Sequence, residues 1–161
     1  MFGSNRLLRR PETLTATATC RVRGDVTDVW EALVDPRSGL SGDVVETGWM
    51  PGSPRGVGGR QYYVTEDGTT QVSVLEVVEF VPPHRARVVD VSAWCQSWYE
   101  VTVDDTGDGH CSVTHEYWIV LPAGVPETWI RSHQQALTHG VQKLAARLPR
   151  TIEAIISAAG G

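Results

Sequence analysis

Residues 129–148 read WIRSHQQALTHGVQKLAARL, and their apolar spacing decides the fold. Trp129, His133, Leu137, Gly140 or Val141, Leu144 and Leu148 recur every three to four residues, the period of one helical face. From about residue 43 to residue 121 the chain reads as strands instead. A long C-terminal helix after a run of antiparallel strands must cover one face of their sheet. If the sheet is strongly curved, the helix can close over a cavity rather than fill it.

Working back from that helix, the first strand has the cleanest alternation. Leu14, Ala16, Ala18, Cys20 and Val22 share one parity, while Thr15, Thr17, Thr19, Arg21 and Arg23 share the other. Asp25 can cap a short helix with apolar positions Val26, Val29, Trp30, Leu33 and Val34. Asp35-Pro36 ends it, because the residue before proline avoids helical angles. A second helical turn is expected through Ser38 to Leu40. Six strands follow, near Val44–Met50, Gly58–Thr65, Thr70–Phe80, Ala86–Ser92, Ser97–Asp104 and His110–Leu121. Glu66-Asp67-Gly68-Thr69 is tight-hairpin material, Pro82-Pro83 breaks the next pair, and residues 104–109 form a polar loop. The spacing suits an antiparallel meander with no βα alternation. The last helix should open near Pro126 or Glu127 and reach at least Arg147, where Pro149 must kink it or split off a short helix with Ile152, Ile155 and Ile156.

The 161 residues, 41% of them hydrophobic, suit one domain over residues 13–158 after a flexible segment, 1–12. A net charge of −5 argues against nucleic acid as a partner. Arg6, Arg9 and Arg10 cluster near the start, as a solvated terminus or as a phosphate or membrane contact. No stretch approaches the ~20 apolar residues of a membrane span, and no secretory signal opens the chain. A cytoplasmic protein without stable membrane insertion is expected, as a monomer or a homodimer. The odd number of cysteines, Cys20, Cys95 and Cys111, fits small apolar packing rather than zinc. No metal and no cofactor is expected.

The chain resembles a known group in its opening strand ending Arg23-Gly24-Asp25, then Val29-Trp30 and Asp35-Pro36. The likeness continues through Gly56-Val57-Gly58-Gly59-Arg60, residues 77–85 (VVEFVPPHR) and residues 111–117 (CSVTHEY). In this order and spacing they are similar to the START-like, or SRPBCC, superfamily, which includes birch-pollen-type allergens and polyketide cyclase/dehydrase-like proteins. The resemblance covers roughly residues 13–157. It implies an α+β helix-grip fold: a seven-stranded curved antiparallel sheet around a long C-terminal helix, with two short helices after the first strand. It also implies an elongated apolar cavity for lipids, polyketides or other hydrophobic small molecules. It carries over no catalytic residue, because the group shares no catalytic set.

Candidate ligand contacts follow from residue type. Large rings with one polar edge suit a pocket for flat apolar ligands, and equally suit plain core packing. Trp49, Trp94, Trp98 and Trp129 are such rings on the proposed strands or helix, joined by Tyr63 and Tyr117. Trp30, on the apolar face of the first helix, is core. On the helix stripe His133, Leu137, Gly140 and Val141 are candidates. Gly140 in mid-helix makes sense either where something bulky approaches or where helix and sheet touch closely. His115 shares the more apolar parity of the last strand with Cys111, Val113, Tyr117 and Ile119, which turns it inward and Glu116 outward. His115 and His133 are the acid/base candidates if they meet. Gly56 to Gly59 lacks the lysine and helix of a phosphate loop and reads as a tight turn. Arg60 after it is a ligand-carboxylate contact if inward and a surface charge if not. Three functions compete: a hydrophobic small-molecule binder, a cyclase- or dehydratase-type enzyme using cavity histidines, and a partner-binding module with a vestigial cavity.

Overall fold

The computed structural model describes residues 12–39, 43–66 and 68–160. The arginine cluster of residues 6–10, Leu40, Asp67 and Gly161 lie outside the described residues. Strand β1 (Glu12–Arg23) is followed by helix α1 (Val26–Val34) and a short 3-10 helix (Pro36–Gly39). Strands β2 (Val44–Trp49), β3 (Arg60–Glu66), β4 (Thr70–Val81), β5 (Arg85–Asp90), β6 (Gln96–Asp105) and β7 (His110–Leu121) precede helix α2 (Glu127–Ala159). The seven strands form one antiparallel sheet in the order β1-β7-β6-β5-β4-β3-β2.

Each element has a local cause. Alternate residues of β1 are sheltered under α2, and the intervening threonines and arginines are exposed. Asp25 accepts from the main-chain N–H groups of Thr27 and Asp28, capping α1. Register shifts between Val44 and Glu46 and between Val77 and Glu79 mark irregular pairing, a device that bends a sheet. The Gly56–Gly59 stretch is a tight turn: Gly59 N–H donates to Gly56 O at 2.8 Å, and a Cβ on Gly59 would sit 2.3 Å from Pro54 O.

Helix α2 departs from expectation at its C-terminal half. Pro149 does not split it: one helix of 33 residues runs through that position. Proline removes one helical hydrogen bond and costs about 3 kcal/mol in a helix interior. Leu148 and Ile152, on either side, are both buried in the core, and their burial offsets that cost.

The core is filled at one end only. Trp30, Val29, Val103, Cys111, Val113, Leu148 and Ile152 pack together where α1 meets the second half of α2. The other half of α2 faces the concave sheet with space between.

Candidate ligand cavity

The concave face is built rung by rung. Ala86 of β5, Val101 of β6, His115 of β7 and Ala18 of β1 lie opposite one another, and the next rung is Val88, Tyr99, Tyr117 and Ala16. Period-2 alternation sends all of them to one face. The small alanines of β1 let α2 lie close along that edge, where Gln134 Nε2 donates to Thr15 O at 2.8 Å. Across the sheet, β3 and β4 turn Gln61, Tyr63, Leu75 and Val77 inward. Between these walls and α2 lies a cavity of ≈ 630 Å³.

Most of its lining is apolar, and Tyr99, Tyr117 and Arg147 lie around a buried His115. The His115 ring is 2% exposed, and neither ring nitrogen has a hydrogen-bond partner among the described residues. Burial, and then the positive charge of Arg147, lower its pKa to about 4, so the imidazole is neutral at physiological pH. Tyr99 stacks on it nearly parallel, with centroids 5.7 Å apart and planes 7° from coplanar. Tyr99 also stacks on Tyr117 at 4.8 Å. Burial pushes both phenols well above their ordinary range and the Tyr63 phenol up to about 12. Arg147 reaches Gly39 O at 3.4 Å, and desolvation lowers its pKa. Tyr63 packs so tightly under Gly39 that a Cβ there would meet its ring at 2.4 Å.

The expected site residues divide into two groups. Trp49, Tyr63, Trp98, His115, Tyr117, Leu137, Gly140 and Val141 border the cavity. Arg60, Trp94, Trp129 and His133 do not. Arg60 starts β3 one residue before inward Gln61, is exposed, and pairs with Glu76 at 2.7 Å. Trp94 lies in the β5–β6 connection rather than on a strand, 68% exposed, edge-on to Trp129. His133 is exposed, stacked on Trp129, with Nδ1 2.8 Å from the Trp129 carbonyl one turn back. His115 and His133 therefore do not meet. Gly140 touches the space, but a Cβ there would meet nothing within 4 Å, so no close helix–sheet contact explains it. Two residues outside the expected set matter: Tyr99, inward by the same parity as Val101 and Val103, and Arg147. The signal for Arg147 was its place seven residues after Gly140 and three after Leu144, on the apolar stripe itself.

A curved seven-stranded sheet closed by a C-terminal helix, with two short helices between its first strands, is a helix-grip fold. The likeness to solved structures bears this fold out. The Zhui aromatase/cyclase from a Streptomyces species matches with a TM-score of 0.73 at 12% identity, over 93% of this chain and 99% of that one. Norcoclaurine synthase from Thalictrum flavum, in complex with dopamine and hydroxybenzaldehyde, matches with a TM-score of 0.69 at 12% identity, over 98% and 95%. Ara h 8.0201 matches with a TM-score of 0.68 at 11% identity, over 91% and 99%. No protein-family profile and no curated protein sequence matches the chain. Among the described residues no helix is long and apolar enough to cross a membrane, and no cluster of three or more His, Cys, Asp or Glu could hold a metal ion.

Proposed function

We propose that this protein binds a hydrophobic small molecule, a lipid, polyketide or aromatic metabolite, between its sheet and α2. The observation that carries the reading is the ≈ 630 Å³ space itself. Its size falls within the roughly 300–1,000 Å³ of small-molecule sites, and its walls are apolar and aromatic with a few converging polar groups. A close-packed interior would have left no such volume. The fold neighbours fit this reading, since one was solved with dopamine and hydroxybenzaldehyde and another is an aromatase/cyclase.

The direct test is native mass spectrometry of the purified protein, with titration of a neutral aromatic probe, 2-naphthalenemethanol, followed by tryptophan fluorescence. The reading expects a co-purified mass or saturable one-to-one binding, weakened in Gly140→Phe, which adds bulk at a position bordering the space. Absence of both a co-purified mass and saturable binding would refute it.

One observation favours a second reading, catalysis of a cyclase or dehydratase type. A buried neutral imidazole with both nitrogens unpartnered among the described residues, beside Tyr117 and Arg147, is equipped to exchange a proton with a carbonyl or hydroxyl. In that case His115 acts without His133. Turnover of a poly-β-ketone chain that survives His115→Gln unchanged would remove this reading. The third possibility, a partner-binding module, called for a filled interior, and the open volume argues against it.

A further inference from the structure

Resting on the ligand-binding reading, we propose that His115 selects the ligand by hydrogen-bonding an uncharged hydroxyl. The cavity then takes a phenol or alcohol on an apolar frame rather than a plain hydrocarbon.

The sheet places one polar side chain on an otherwise apolar rung. Ala86, Val101 and Ala18 lie beside His115 across β5, β6 and β1, and none carries a polar side-chain atom. Ala86, Val101 and His115 all border the cavity, so the imidazole meets the space between small neighbours. The ring is 2% exposed, and neither nitrogen has a hydrogen-bond partner among the described residues. Asp90, the one carboxylate lining the cavity among the described residues, does not serve it. Asp90 lies four residues along β5 from the His115 rung and accepts from Ser92 and Ala93 instead. As packing alone, the position would favour leucine, because a buried imidazole without a partner gives up its hydration for nothing.

The chemistry of the ring specifies what it can recognise. Burial, and then the charge of Arg147, keep it neutral at physiological pH. A neutral imidazole presents one N–H donor and one lone-pair acceptor. A hydroxyl both donates and accepts, so it can pair with either nitrogen. A carbonyl or carboxylate only accepts, and a hydrocarbon does neither. A ligand hydroxyl recovers the penalty of leaving a buried polar group unpaired. The ring is also held ready. Tyr99 stacks on it with planes 7° from coplanar, and Tyr117 stacks on Tyr99 at 4.8 Å. That stack fixes the plane of the imidazole in advance, so binding need not order it.

The experiment uses 2-naphthol and 2-methylnaphthalene, which differ by a hydroxyl in place of a methyl. Their affinities for the full chain are measured by equilibrium dialysis. The probes differ in hydration, so the readout is the ratio of their affinities in wild type against the same ratio in His115→Leu. Wild type should favour 2-naphthol by roughly tenfold more than the variant does, the scale of one hydrogen bond at a buried site. His115→Gln, which keeps a donor and an acceptor, should retain part of that difference. An equal ratio in wild type and His115→Leu overturns the proposal and leaves the ligand-binding reading standing. Binding of neither probe to wild type removes this proposal and counts against the general reading as well. Nitrogen NMR of the wild-type imidazoles decides the matter even if His115→Leu does not fold. There 2-naphthol should displace the His115 ring-nitrogen resonances and 2-methylnaphthalene should leave them nearly in place. Equal displacement by both probes also overturns the proposal.

Discussion

Replacing Gly140 with alanine should make this protein more stable. Glycine in mid-helix is about 0.8–1.0 kcal/mol less favourable than alanine, because it loses more backbone freedom on folding. At most buried helix positions the added methyl would collide with a neighbour and reverse the sign. Here it would meet nothing within 4 Å, so the helix term stands undiminished. A gain of about 1 kcal/mol raises the melting temperature by about 2–4 °C in a chain of this size. The assay is urea and thermal unfolding followed by far-ultraviolet circular dichroism, with the slope of the urea transition unchanged. Destabilisation by Gly140→Ala would show that the helix backbone lies against the sheet at this level. The reasoning that gives the cavity its open wall would then be wrong.

Two further outcomes follow from the same structure. His115 titrates at about 4 in the folded protein against 6.5 as an ordinary histidine, so its contribution is whole above pH about 6.5 and is lost as the pH falls toward 4. Stability should fall by up to about 1.4 kcal/mol per pH unit in that window beyond the fall seen in His115→Gln, and identical pH profiles of urea midpoints would contradict it. Pro149→Ala should restore a helical hydrogen bond worth, with the relieved clash, about 3 kcal/mol, less about 1 kcal/mol for the greater freedom of the unfolded chain. A net gain of about 2 kcal/mol is expected in urea unfolding, and a loss would show that α2 needs its proline.

Much of the fold was legible because period-2 alternation survives wherever one face of a strand is wet. β1 and β7 announced their inward residues in this way, His115 included. Helical periodicity is weaker evidence, since it shows which residues share a face but not where that face has something to cover. Trp129 and His133 continue the stripe of Leu137 and Val141, yet they stack on each other outside the cavity. Arg147 was hidden for the opposite reason. A charge near the end of a stripe reads as the start of a solvated face, and only the three-dimensional meeting of α2 with Gly39 and the β7 rings gives it an interior role. Pro149 misled because a local rule was applied where burial on both sides outweighs it.

The pairing of β1 with β7 has a consequence for how the protein is made. Glu12 sits opposite Leu121, so β1, once it has left the ribosome, lacks its partner β7 until roughly a hundred further residues have emerged. At about 5–20 residues per second that interval lasts on the order of 5 to 20 s. Throughout it the apolar face of Leu14, Ala16 and Val22 stands uncovered. Nascent chains stalled within this interval should be the ones most dependent on chaperones.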